Sequence, residues 1–450
     1  MPAVMWFRRD LRLADNPALL AALEAAAEDG DGRVVPLFVV DPTLWNASGP
    51  VRQAYLAASL RQLDDSLGGR LTVRYGDPVA VLPRLVHEVA ATSVHLAADF
   101  GPYGGRRDQA VEAAVDIPFV RTGSPYAVAP GRVAKDDGTA YRVFTPFWKA
   151  WVRHGWRAPA PAPKGDQPWA DVESDGLPDA PDLGDLALPP AGETAARERW
   201  SAFRDGALAD YAENRNRPDL AGTSVMSHHL RWGEVHPRTL LADLTPRDEV
   251  FQKELCWREF YADVLAHEPE SAHRSLDLRF DDDMRWTDGP VAQEALAAWA
   301  QGRTGYPFVD AGMRQLRTDG WMHNRVRMVV ASFLVKDLHL PWQLGAREFM
   351  RWLRDGDLAS NVHGWQWTAG CGTDAAPFYR VFNPVLQGLK FDPDGDYVRR
   401  YVPELRHLPG ASAHEPWKAI DGHVHGYPEP IVDHAEERNV ALADFESIKK

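Results

Sequence analysis

The sequence predicts an α/β N-terminal domain with a Rossmann-like parallel sheet, then a connector and an all-helical C-terminal domain. Three observations carry this. The chain has 450 residues, more than one hydrophobic core accommodates, so two domains are expected. Its first stretch, roughly 125 residues, alternates short apolar runs with helical periodicity, as strand–helix–strand units do. From residue 196 onward strand signals nearly vanish and a helical period takes over.

In the first domain, assigned to residues 1–128, strands are expected at 4–7, 34–40, 71–75, 94–97 and 117–120. Helical stretches at 16–28, 51–67 and 78–90 separate the first four. No G-x-G-x-x-G follows the first strand, which excludes the standard dinucleotide fingerprint. In its place Phe7-Arg8-Arg9-Asp10-Leu11-Arg12 stands at the C-terminal end of strand one, where open α/β sheets dock ligands. Residues 129–195 form the connector; from 158 on it is rich in Pro, Gly and Asp and reads as a wrapping segment. The second domain, 196–450, has its clearest helices at 251–267, 291–301, 308–318, 321–338 and 346–354.

A formal net charge of -14 argues against a protein that coats nucleic acid indiscriminately. A local basic face is still present. Residues 138–165 contain no Asp or Glu but hold Arg142, Lys149, Arg153, Arg157 and Lys164, with Trp148, Trp151 and Trp156 between them. Arg325, Arg380, Lys390, Arg399 and Arg400 add to it. The two cysteines, Cys256 and Cys371, lack metal-ligand spacing and suit a reducing compartment. No apolar run has the length of a signal peptide or a membrane span. A cytoplasmic monomer with no membrane partner is expected. No metal is expected either: His228-His229 and His423-Val424-His425 lack carboxylate or thiolate partners at ligand spacing and read as surface or loop residues.

Four segments in order carry a family likeness: WFRRDLRLADNPAL at the start, TGYPFVDAGMRQL at 304–316, GWMHNRVRMVVASFLVKDLHLPW at 320–342 and DGDLASNVHGWQWTAGCGTDAAPFYRVFNP at 355–384. The chain resembles the photolyase/cryptochrome family from Trp6 to about Trp417, and within it most resembles the class I cyclobutane-dimer photolyases. The resemblance implies an antenna domain followed by a helical FAD domain. It also implies light-driven repair of pyrimidine dimers in UV-damaged DNA.

The implied FAD site begins with Tyr211 and the loop Thr223, Ser224, Val225, Met226 and Ser227, whose hydroxyls and backbone N–H groups match the family's pyrophosphate loop. Alone, such a stretch is more often an ordinary helix cap. Relatives often carry Arg where Val225 stands, so one charge contact is expected to be missing. Asp355, Gly356 and Asp357 match the turn that faces the flavin ring edge and ribityl chain, with Arg327 paired to Asp355; viewed alone, Asp357 reads equally as an acidic helix start. Asn361 matches the residue beside flavin N5, where its amide can present oxygen or NH2.

At helical spacing Glu254, Trp257, Arg258 and Tyr261 share one face. By resemblance this stripe is a lesion pocket, with Trp257 and Trp367 as walls and Glu254 on the thymine edge; base flipping is a general property of photolyases. The plainer reading is a surface Glu254 paired with Arg258 at i+4. Asn324 and Met328 complete the pocket, Met328 setting the chain apart from (6-4) enzymes, which carry His in this helix. Arg215 and Arg325 are expected near the DNA strand. Trp365, Trp342 and Trp286 match the family's electron relay, and core packing is their alternative role.

A second chromophore is expected near Asp99-Phe100-Gly101-Pro102-Tyr103-Gly104, a deazaflavin ahead of methenyltetrahydrofolate, although Gly101 replaces an acidic residue of deazaflavin-binding relatives. Two other functions compete: a cryptochrome photoreceptor, opposed by Asn361, Met328 and Trp257, and a generic flavoprotein electron carrier, which leaves the Glu254–Tyr261 stripe unexplained.

Overall fold

In the computed structural model, which describes residues 1–374 and 379–449, five parallel strands form one sheet in the order β3-β2-β1-β4-β5. They are β1 (Ala3–Phe7), β2 (Val34–Val40), β3 (Thr72–Tyr75), β4 (Ser93–Leu96) and β5 (Phe119–Arg121). In β1 and β2 the apolar runs are continuous because both sheet faces are covered there. Along β1 the strand period sends Ala3, Met5 and Phe7 to one core and Val4 and Trp6 to the other. Helices Pro17–Asp29 and Pro50–Ser66 cover the first face; Pro78–Glu88 and Pro102–Ala114 cover the second. Asn16 caps the first of these helices by accepting from Leu19 N at 3.2 Å. The chain order reverses beside β1, so Arg8, Arg9 and Asp99 meet at the C-terminal ends of β1 and β4.

Beyond the sheet the chain is helical. The connector touches the sheet through a bridge between Trp169 and Val34. Part of it is core, because helix Phe144–His154 buries Phe144, Phe147 and Trp151 against helix Glu249–His267. Trp151 is fully buried, with Nε1 donating to Glu259 at 2.7 Å, so it takes no part in a basic face.

The largest core joins helices Pro307–Asp319, Asn324–Lys336, Trp342–Trp352 and Leu358–Ala369. The helix expected over 321–338 starts later, at Asn324. Gly320, at φ 61, ends the preceding helix in the left-handed region, and the His323 ring then accepts from Arg325 N at 3.2 Å. The two halves interlock where Leu11 N donates to Trp232 O and Arg12 Nη1 donates to Gly233 O. No helix among the described residues is long and apolar enough to cross a membrane.

Candidate functional site

Most of the singled-out side chains converge on one cavity of about 480 Å³. From the expected flavin set its wall takes Tyr211, Ser224, Met226, Ser227, Arg327, Asp355, Asp357 and Asn361. From the expected lesion set it takes Arg215, Glu254, Trp257, Arg258, Tyr261, Asn324, Arg325, Met328 and Trp367. Trp365 belongs to the wall as well, whereas Thr223, Val225, Gly356, Trp342 and Trp286 do not.

Helix geometry explains the convergence. In Glu249–His267 the 3–4 spacing turns Glu254, Trp257, Arg258 and Tyr261 to the cavity while Cys256, Phe260 and Val264 enter the core. Glu254 does not pair with Arg258. Its Oε1 meets Arg215 Nη2 at 2.7 Å, and Arg258 donates to Pro125 O at 3.0 Å and Leu230 O at 3.2 Å. Burial pushes the Glu254 carboxyl up, against the opposing pull of Arg215 and Arg325.

Asp357 starts helix Leu358–Ala369 by accepting from Ser360 N at 3.1 Å, and its other oxygen receives Arg9 Nη2 at 2.7 Å. Burial alone would raise this carboxyl, but Arg9, Arg258 and Arg231 together hold it below the usual carboxylate range. One and two turns on, the same helix presents Asn361 and Trp365. The Asn361 amide nitrogen donates to Ala346 O at 3.0 Å, which leaves the amide oxygen as acceptor for a ligand. Asp355 pairs with Arg327 at 2.8 Å, as expected.

Trp257 is backed by a ring the sequence reading overlooked. Phe144 stacks on it with ring centroids 3.7 Å apart and planes 6° apart. Phe144 N in turn donates to Asp374 at 3.1 Å, five residues past the helix that carries Trp367. One wall is thus tied to the segment behind the other. Arg380 lies over the Trp367 ring at 5.9 Å.

Around Trp365 the rings in contact are Phe349 at 4.9 Å and Trp299 at 6.1 Å. Trp342 reaches it indirectly: one turn along its helix Gly345 abuts Trp365, where a Cβ would come within 2.0 Å of the indole. Trp342 Nε1 donates to Ser275 Oγ at 2.9 Å, and half-buried Trp286 donates to Phe280 O at 3.1 Å.

His228 and His229 depart from expectation. Both are buried, in helix Ser227–Trp232, and His229 Nδ1 lies 2.5 Å from the Glu234 carboxylate. They are interior residues because that short helix is wedged against Tyr55 of the α/β domain.

In the N-terminal crevice Asp99 accepts from Gly101 N at 3.0 Å and faces Arg107 at 3.5 Å; Arg107 also pairs with Asp108, as does Arg8. Tyr103 OH donates to Asp41 at 2.5 Å.

Among the residues that the sequence reading did not assign to this cavity are Arg231 on the wall, Arg9 behind Asp357 and Phe144 behind Trp257. The wall fits a flavin nucleotide. Buried Asp355 Oδ1 and Trp365 Nε1 have no partner among the described residues. Five arginines (215, 231, 258, 325, 327) face three carboxylates (Glu254, Asp355, Asp357), an excess suited to a diphosphate.

Comparisons with known proteins agree. Residues 3–164 match the family model described as DNA photolyase, and residues 251–447 match the FAD binding domain of DNA photolyase. A deoxyribodipyrimidine photo-lyase of Streptomyces griseus is 42% identical, over 97% of each chain. A bacterial class III photolyase from Agrobacterium tumefaciens superposes with a TM-score of 0.92 at 39% identity, over 100% of this chain and 98% of the other. A photolyase from Sulfolobus tokodaii with two FAD molecules gives 0.84 at 29% identity, over 99% and 100%. The class I likeness expected from the motifs gains no support from the Agrobacterium neighbour, which is of class III.

Proposed function

The chain belongs to the DNA photolyase family, and from that premise we propose that it is a deoxyribodipyrimidine photo-lyase which repairs cyclobutane pyrimidine dimers in UV-damaged DNA. The observation that carries this reading is the union of a flavin-type wall and the Glu254–Trp257–Tyr261 stripe in one cavity. A cryptochrome or an electron carrier needs only the first. When bound and fully reduced, FAD supplies the light-driven electron that opens the cyclobutane ring and takes it back, with no net redox change.

The chain's own residues do the rest. Tyr211 and the 223–227 loop would hold the nucleotide, Asp355 and Asp357 would serve the ring edge and ribityl chain, and the Asn361 amide oxygen would be the acceptor offered to N5. Trp257 and Trp367 wall the flipped dimer and keep water from it. Glu254 addresses the thymine edge, where a proton-shared hydrogen bond would stabilise the negative charge that develops there. Arg258, Tyr261, Asn324 and Met328 shape the pocket, while Arg215 and Arg325 stand at its mouth for the strand phosphates. Trp365, Trp342 and Trp286 would serve as a relay between the surface and a bound oxidised flavin. Residues 1–128 would form the antenna domain, where the Asp99 loop would receive a second chromophore, a deazaflavin ahead of methenyltetrahydrofolate; 129–195 are the connector and 196–450 the FAD and lesion domain.

The test is repair of a thymine-dimer oligonucleotide by chemically reduced protein, in blue light and in the dark. Light-dependent loss of dimers is expected. Reduced FAD-bound protein that leaves the dimer intact would overturn the assignment and direct attention to a (6-4) substrate.

A further inference from the structure

Arg231 is a cation on the cavity wall that makes no direct ion pair with a wall carboxylate, although the charge of Asp357 acts on it. Each of the three carboxylates has a direct partner: Arg215 on Glu254 at 2.7 Å, Arg327 on Asp355 at 2.8 Å and Arg9 on Asp357 at 2.7 Å. Of the wall arginines left over, Arg258 is spent on two backbone carbonyls, and Arg325 holds Asn216 Oδ1 at 2.8 Å. Arg231 places Nε on Gly356 O at 2.9 Å and rests its guanidinium over the Trp232 ring at 4.8 Å. Its Nη1 is shut off from solvent and has no partner among the described residues. Burial, with Arg9 nearby, pushes the guanidinium down to about 9, still above neutrality, so the group stays charged. A buried charged donor left unmade is costly, and an anion in the cavity removes that cost.

Position narrows what that anion is. Arg231 follows Ser227 by four residues in helix Ser227–Trp232 and so shares its face. Ser224 and Ser227 are on the cavity wall, and Gly356 precedes Asp357. Arg231 therefore stands where the 223–227 loop meets the 355–357 turn. Val225 brings no charge to that loop; Arg231 brings one from farther along the same chain segment.

We propose that Arg231 is a further flavin-binding residue, giving Nη1 to an anionic acceptor of bound FAD. The proposal rests on FAD occupying this cavity. Two acceptors share the required chemistry, the diphosphate and the anionic ring of the reduced flavin, and they respond differently to loss of the charge.

The experiment compares wild type, Arg231→Gln and Arg231→Lys. Each is stripped and titrated with FAD and, separately, with riboflavin, and the reduced holoproteins are then followed by absorbance against pH. If the acceptor is the diphosphate, Arg231→Gln binds FAD about ten- to a hundredfold more weakly, riboflavin is unaffected, and lysine restores most of the affinity. If it is the reduced ring, the oxidised ligands bind as in wild type. The midpoint potential of Arg231→Gln then falls, and the pH at which its reduced flavin takes up a proton rises. Either pattern supports the proposal. An Arg231→Gln protein matching wild type in affinity, potential and pH profile overturns it, as does an equal loss of FAD and riboflavin binding with an unchanged pH profile. Arg231→Met replaces the glutamine variant should that one fail to fold. A wild type that takes up no FAD overturns the reading of the cavity itself, which separates the two failures.

Discussion

Replacing Arg327 with methionine should strand a carboxylate in the cavity wall. Arg327 Nη2 donates to Asp355 Oδ2 at 2.8 Å and its Nε donates to Met322 O at 2.8 Å. The Asp355 side chain is 2% exposed, and its Oδ1 already lacks a partner. Methionine keeps much of the apolar stem but removes the charge and both hydrogen bonds. Removing one member of a buried ion pair costs roughly 3–5 kcal/mol. Arg52 and Arg354 also act on Asp355 through their charge, which moves the expected loss to the low end, about 3 kcal/mol. They cannot replace the lost hydrogen bond, because Arg52 donates to Met350 O and Ala47 O and Arg354 donates to Asp319 O. Urea unfolding of Arg327→Met, followed together with its FAD content, measures the cost. Adding Asp355→Asn removes the stranded charge, and the total penalty should then shrink to about 1 kcal/mol. A single variant costing less than about 1 kcal/mol, or a double variant as unstable as the single, would refute the buried-pair reasoning.

Phe144→Ala should loosen Trp257 and weaken binding of dimer-containing DNA about three- to tenfold, given roughly 0.5–1.5 kcal/mol for an aromatic stack; gel-shift affinity for undamaged DNA and the flavin spectrum should not change. Glu254→Ala should slow light-driven repair roughly tenfold or more with FAD retained, and unchanged repair would remove Glu254 from the chemistry. Trp365→Phe should block photoreduction of oxidised flavin while pre-reduced protein still repairs; normal photoreduction would sink the relay. His323 gives a pH prediction. Burial, with Arg325, Arg327 and Arg215 adding to it, pushes its ring down to about 3. The unfolded chain takes up this proton near pH 6.5 and the fold does not, so the stability is complete above about 6.5 and is lost as pH falls toward 3. Relative to His323→Asn, which keeps a capping acceptor, wild type should lose about 1.3 kcal/mol between roughly pH 7.5 and 5.5 in urea titrations. A constant difference would contradict a neutral His323 cap.

What was legible in the sequence was local. Glu254, Trp257, Arg258 and Tyr261 could be put on one face because a helix repeats at short range, and the central strands β1 and β2 showed because each is a continuous apolar run. Boundaries slipped where a single side chain decides them, as at His323, whose ring is the helix cap that periodicity does not encode. The plainer alternative for Glu254, a pair with Arg258, is not formed, and the reason is related. Arg258 is its helical neighbour, but the backbone carbonyls of Pro125 and Leu230 claim that guanidinium, and Arg215 comes from outside the helix.

The residues overlooked are those that complete the site from a distance. Arg9 and Asp357 are 348 positions apart, and Arg9 was noticed only as part of a sheet-end motif. Phe144 lay in a segment read for its basic charge, yet it backs Trp257. Both come from parts of the chain outside the matched FAD-binding segment, 251–447. The cavity is therefore the product of the whole fold: the segment after β1 supplies the cation that keeps Asp357 ionised, and helix Phe144–His154 supplies the ring that stacks on Trp257. Excising residues 251–447 would remove both supports, along with Tyr211, Arg215, the 223–227 loop and Arg231. A flavin site built this way depends on the docked α/β domain, because a buried Asp357 without Arg9 bears a desolvation cost that Arg231 and Arg258 would have to offset alone.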